Sequence, residues 1–124
     1  MAKVFLDTNI YIDACYRSPE VAYQFRDCQI YFSPLSTHIL YYSAKLKAPQ
    51  TEIEQIFSDF GAVTLGKVIL KKALHGPTTD LEDNIQLHSA AEAGCDYFLT
   101  SDEKLLKMKF FGKTKVVDVL PQTH

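Results

Sequence analysis

The chain has 124 residues, 47% of them hydrophobic, which is enough for one well-packed core and too little for two, so residues 1–124 are expected to form a single domain. A formal charge of −2 gives no bulk attraction for nucleic acid, and no apolar run approaches the ~18 residues of a membrane span. The first residues lack the basic-then-apolar layout of a signal peptide, and a soluble, cytoplasmic protein with no membrane partner is expected. Cys15, Cys28 and Cys95 are odd in number and include no Cys-x-x-Cys pair, so they encode neither a disulfide framework nor a zinc knuckle and read as reduced thiols.

Short segments rich in Val, Ile, Phe, Tyr and Leu predict five strands, at residues 3–7, 29–32, 61–65, 96–100 and 115–119. Helical segments are expected between and beside them, at 8–16, 18–27, 34–47, 50–60, 66–75, 80–94 and 102–108. This alternation favours a βαβ series with a parallel sheet. Ser33 followed by Pro34 fits an N-cap and first helical position. Thr51 with Glu54 has the spacing of a capping box, and so does Thr79 with Glu82. Gly76-Pro77-Thr78-Thr79 is the clearest loop, and Gly94 is placed to close the helix before the fourth strand.

The first strand stops on a carboxylate, Lys3-Val4-Phe5-Leu6-Asp7, and hands over to Thr8 and Asn9. The device recurs at Tyr97-Phe98-Leu99-Thr100-Ser101-Asp102, and Asp80-Leu81-Glu82-Asp83 opens the helix between them. In an open α/β sheet the carboxyl ends of adjacent strands and the helix starts that follow share one edge, so Asp7, Asp83 and Asp102 are expected to converge. Like charges about 5 Å apart repel by roughly 3 kcal/mol at an effective dielectric of 20, so stability alone explains such a cluster poorly. A cation reverses the sign. Carboxylates without His or Cys suit Mg²⁺ or Mn²⁺, and that chemistry points to phosphodiester hydrolysis, with Thr8, Asn9, Asp80, Thr100 and Ser101 as supporting groups.

The segments LDTNIYID, DLEDNIQLHSAAEAG and YFLTSDEKL resemble the PIN-domain nucleases in content and order. The resemblance covers most of the chain and is weakest between about 45 and 75. It implies a three-layer α/β/α fold with a five-stranded parallel sheet of order 3-2-1-4-5. It further implies Mg²⁺- or Mn²⁺-dependent endoribonuclease activity, often as the toxin of a VapC-type toxin-antitoxin pair with an antitoxin protein as partner. Carried over by position, the catalytic and metal-binding acids are Asp7, Asp83 and Asp102. The family usually has a further acid, commonly Glu, in the helix after the second strand, about six residues beyond an early Ser or Thr. Here that place falls on Tyr42, or on Tyr41 with a one-residue slip, and a neutral phenol is a poor Mg²⁺ ligand. Asp80 or Asp13 is the candidate substitute. The alternative function is therefore a catalytically degenerate PIN-like module that binds RNA or protein.

Apart from Asp7, which an apparently central strand delivers to the sheet edge, the acids also have plainer roles. Asp80, Glu82 and Asp83 suit a first helical turn, with Glu82 the favoured capping residue, and Asp102 suits an N-cap. His38 and His88 gain no metal partner by spacing and read as packed or solvated side chains. Tyr11, Tyr16, Tyr23, Tyr41 and Tyr42 offer rings for base stacking but fit helix packing as well. Lys104, Lys107, Lys109, Lys113 and Lys115 form a basic stretch suited to a phosphate backbone. A haloacid-dehalogenase-like phosphatase needs Asp-x-Asp, where this chain has Asn9. A receiver domain needs an Asp after its third strand, and Val63-Thr64-Leu65-Gly66 supplies none. The apolar helix faces are compatible with a homodimer and equally with a monomeric core.

Overall fold

The computed structural model describes residues 1–121. The central strand β1 (Lys3–Leu6) pairs in parallel with β2 (Gln29–Phe32) on one side and with β4 (Tyr97–Leu99) on the other. Beyond β2 lies β3 (Gly61–Ala62). Beyond β4 lie β6 (Thr114–Val117) and then β5 (Phe110–Phe111), giving the order β3-β2-β1-β4-β6-β5. The parallel order 3-2-1-4 followed by the last long strand is as expected from the sequence. The strand count is corrected from five to six, because β5 forms an antiparallel hairpin with β6 at the sheet's edge. Gly112 turns that hairpin at φ +60°. A two-residue strand shows no alternation of polarity, so Phe110–Phe111 carried no strand signal.

Alternation along β1 divides the core. Val4 and Leu6 join Ile30, Phe32 and Leu99 on one face, and Phe5 joins Phe98 and Val116 on the other. All three inner residues of β1 are fully buried, as a strand covered by helices on both faces must be. The first face is covered by α1 (Thr8–Ile12), a π-helical turn at Asp13–Arg17, a 3-10 segment at Pro19–Phe25, α2 (Pro34–Ser43) and α3 (Thr51–Asp59). The second is covered by α5 (Leu81–Glu92) and α6 (Glu103–Leu106), with α4 (Lys67–His75) packed on α5.

Several boundaries move for local reasons. The helix expected over 8–16 is α-helical only through Ile12, then widens, with Arg17 Nε bridging back to Asp13 Oδ1 at 2.9 Å. The segment expected as helix over 18–27 winds as a 3-10 helix that Pro19 opens. Ser33 caps α2 as expected, its Oγ accepting from the Leu35 N–H at 3.2 Å. The capping box at Thr51 does not form, because Thr51 is already the first helical residue of α3 and Gln50 takes the cap position. Asp80, not Thr79 or Glu82, caps α5 by accepting from the Asp83 N–H at 2.9 Å. The far end of α5 closes as expected on Gly94 (φ +67°), with Cys95 N–H bonded to Ala90 C=O at 3.0 Å and Gly94 N–H to Ala91 C=O at 3.1 Å.

All three cysteines are free, and burial pushes the Cys15 thiol up to about 11 and that of Cys95 up to about 12. Among the described residues no helix is long and apolar enough to cross a membrane.

Candidate active site

The carboxyl ends of β1 and β4 are tied together by the Asp7 N–H, which bonds Leu99 C=O at 3.0 Å. Asp7 leaves β1 only 6% exposed and turns the chain into α1. Its Oδ1 accepts from the Thr8 N–H at 2.8 Å and its Oδ2 from the Thr100 hydroxyl at 2.6 Å. The same Thr100 oxygen accepts the Asp102 N–H at 3.0 Å. One fully buried hydroxyl thus fixes the acid after β1 and the backbone that carries the acid after β4. Asp102 then caps α6, with Oδ1 accepting from the Lys104 N–H at 2.9 Å.

The acids that open α5 are set by a side chain the sequence analysis did not single out. Asn84, buried, accepts from the Thr78 N–H and hydroxyl at 2.9 and 2.7 Å and donates to the Ala73 and Thr78 carbonyls at 2.9 and 3.0 Å. This clamp closes the loop between α4 and α5, so the position of Asp80 and the first turn of α5 follow from it. Thr78 returns its oxygen to the Asp80 N–H at 3.0 Å.

Beneath the acids, three helices meet on buried polar atoms. Gln86 Nε2 of α5 donates to Thr8 Oγ1 at 2.9 Å and to Ser36 Oγ at 3.1 Å, and the two hydroxyls lie 2.9 Å apart. Gln86 falls four residues after Glu82 and three after Asp83, on the face that carries them. A polar residue recurring there, where an apolar one is due, is the signal that would have found it.

Electrostatics show which carboxylates are neighbours. Burial raises the pKa of Asp7 most, the Asp102 and Asp80 charges raise it further, and the bonds from Thr100 and Thr8 oppose the change. Asp83 is pushed up to about 6, first by burial and then by Asp80, Asp7, Asp102 and Glu82. Glu82 is raised by burial, then by Asp7 and Asp80, while the nearby Thr8 hydroxyl favours its charged form. Asp7, Asp80, Asp83 and Asp102 therefore share one region, and Glu82 shares it with them. Glu82 also lines a groove of about 550 Å³ with Thr8, Asn9, Ile39 and Ser43. Ser101 is exposed beside Asp102.

Other candidates stand elsewhere. Tyr42 is 80% exposed and points away from this groove, while Tyr41 packs against the core. The positions of α2 that face the acids are Ser36, Ile39 and Ser43. Asp13 is engaged by Arg17. His88 bonds the Gly76 carbonyl at 2.9 Å and meets the Phe111 ring edge-on, which makes it a packed residue.

The donor set is all oxygen, and burial first, then neighbouring carboxylates, raise the pKa values of Asp7, Glu82 and Asp83, a cost that a hard cation offsets. In that sense the residues fit Mg²⁺ or Mn²⁺. Among the described residues no three His, Cys, Asp or Glu side chains stand in ligating geometry. Asp80 and Asp102 are turned to cap their helices, so side-chain rotation would be needed to close the group.

No family model and no curated protein matches the sequence. A structure search pairs 93% of the chain with 97% of a chain in the crystal structure of VapBC2 from Rickettsia felis bound to a DNA fragment from their promoter, at 13% identity and a TM-score of 0.65. The fold is PIN-like. In this PIN-like domain Thr100 bears the tightest polar contact of the site, and Thr100→Val tests it. Loss of the hydroxyl removes the short bond to Asp7 and the acceptor for Asp102 N–H, and removal of such a supporting partner costs about 10–100-fold in cation affinity or activity. We expect that loss in Mn²⁺ affinity by calorimetry; an unchanged affinity would refute the bridging role.

Proposed function

We propose that the protein is a metal-dependent PIN-type endoribonuclease, the toxin of a toxin-antitoxin pair, acting in the cytoplasm. The observation that carries this reading is the Asp7–Thr100–Asp102 bridge, which fixes two acids at the edge where the α5 acids also converge. Asp7, Asp83 and Asp102 are the residues assigned to hold Mg²⁺ or Mn²⁺, with Asp80 and Glu82 beside them. When bound, the cation supplies charge neutralisation and Lewis-acid activation for attack of water on the phosphodiester. The chain's own contribution is positional. Thr100 and the Thr8 N–H hold Asp7, Gln86 and Ser36 hold Thr8, and Asn9 and Ser101 stand exposed at the rim to orient substrate. Lys104 and Lys107, on and just after α6, attract the phosphate backbone. By the family resemblance the products carry a 3′-hydroxyl and a 5′-phosphate. The likeness to a VapBC2 structure supports an antitoxin partner, and exposed Val68, Leu70 and Leu74 of α4 offer an apolar surface for a second copy. Mn²⁺-dependent cleavage of single-stranded RNA, absent in EDTA, is the direct test.

A non-catalytic PIN-like module is the second reading, favoured by the outward placement of Tyr42 and the lack of an α2 acid facing the groove. Calorimetry separates the two: an absence of Mg²⁺ and Mn²⁺ binding in the millimolar range selects the module.

The pH dependence of stability provides a further check. Native Asp83 keeps its proton up to about pH 6, whereas the unfolded side chain releases it near 3.8. The stability it contributes is present below 3.8 and lost as the pH rises through about 6. The thermal midpoint of the EDTA-treated protein should therefore fall between pH 5 and pH 7, less steeply in Asp83→Asn, and Mn²⁺ at pH 7 should restore it. A midpoint that rises over that interval would contradict the crowding of these acids.

A further inference from the structure

The end of α2 furthest from the acids carries an unusual combination of exposed groups. The His38 and Tyr42 rings lie one turn apart on its outer side, centroids 6.4 Å apart and planes 27° from parallel. Tyr42 is 80% exposed, and Lys45 and Lys47 follow it, also exposed. These residues line an open groove of about 710 Å³. Ser43 borders both this groove and the one lined by Glu82, Asn9 and Thr8, so the two run on from each other.

The turn that ends α2 is built against local preference. Leu46 N–H bonds Tyr41 C=O at 2.9 Å and Lys45 N–H bonds Tyr42 C=O at 3.4 Å, the same closure that α5 makes with Gly94. Here the left-handed position belongs to Lys45, at φ 54°. Lysine stands where glycine is least costly, at some expense to the backbone, and it lines the same groove as the exposed Tyr42.

We propose that His38, Tyr42, Lys45 and Lys47 form a docking platform for single-stranded RNA, which passes over Ser43 into the acidic groove. Aromatic faces stack on any base, and adjacent ammonium groups match the phosphates that connect the bases. A protein partner is the weaker fit, because exposed Lys45 and Lys47 border the rings and the core of a protein interface is depleted in such charge. This inference rests on the ribonuclease reading for its substrate, but its test does not depend on turnover.

Fluorescence anisotropy of a labelled RNA oligonucleotide is measured in EDTA, so that neither cation nor cleavage enters. Tyr42→Ala is expected to weaken binding about 10-fold. The double variant Lys45→Gln, Lys47→Gln should make the slope of log affinity against log salt shallower by about 1.4, since each phosphate contact on a single strand contributes about 0.7. RNA affinity and salt slope unchanged in both variants would overturn the proposal, as would variants that lose only self-association or antitoxin binding. If the wild-type protein binds RNA through these residues yet shows no Mn²⁺-dependent cleavage, the platform stands and the catalytic reading falls.

Discussion

Asp7→Asn is expected to lower Mn²⁺-dependent RNA cleavage by about three orders of magnitude with the fold intact. Asp7 is the most buried of the acids, and both its oxygens are already aimed by donors. An amide keeps the position, its oxygen accepting from the Thr8 N–H and its NH₂ donating to the Thr100 oxygen, although the Thr100 proton then loses its acceptor. For cation binding the decisive loss is the negative charge, and a ligand charge that stabilises a bound cation and its transition state is worth several kcal/mol, about 4 kcal/mol for a thousandfold effect. Burial and neighbouring acids already raise the Asp7 pKa, so the neutral amide relieves a cost that offsets the lost acceptor of Thr100, and the thermal midpoint in EDTA should change little. Undiminished cleavage in a folded Asp7→Asn protein would reject this site.

Phe98→Ala has the largest expected effect on stability. Phe98 is fully buried in the middle of β4, and its ring stacks on that of Phe5 in β1, with centroids 5.6 Å apart and planes 9° from parallel. It anchors the core beneath α5 and α6, and removing a buried phenyl group costs about 3–5 kcal/mol. For a domain of this size that corresponds to a fall of roughly 15 °C in the thermal midpoint. Phe110, 57% exposed on the edge strand, is the matched control, and Phe110→Ala should shift the midpoint by no more than a degree or two. Similar shifts for the two variants would contradict the assignment of this core.

Strands that carry both packing and site residues were the most legible in the sequence. The apolar run of β1 stops on Asp7 and that of β4 on Thr100-Ser101-Asp102, so one pattern reports both the buried strand and the acid that follows it. Helix ends were less legible. Thr79-x-x-Glu82 and Asp80-x-x-Asp83 are offset by one residue and both satisfy a capping pattern, and spacing alone does not choose between them. The structure caps α5 with Asp80 and leaves Glu82 facing the groove. The α2 position expected for an acid was read by counting from Ser36, and a count gives no rotation about the helix axis. In the structure Tyr42 faces outward, while Ile39 and Ser43 face the site. The Thr8–Ser36–Gln86 contact joins residues 28 to 78 positions apart, a distance that no local pattern records.

Both margins of the sheet are two residues long, Gly61–Ala62 on one side and Phe110–Phe111 on the other. Each presents too short a ladder of free amide and carbonyl groups to template an added strand, and the outer one runs against its neighbour. Recruitment of another polypeptide by strand addition is thereby discouraged. Assembly with a further chain falls instead to side chains on helices, where single surface substitutions can tune affinity without disturbing the backbone pairing that carries the acids.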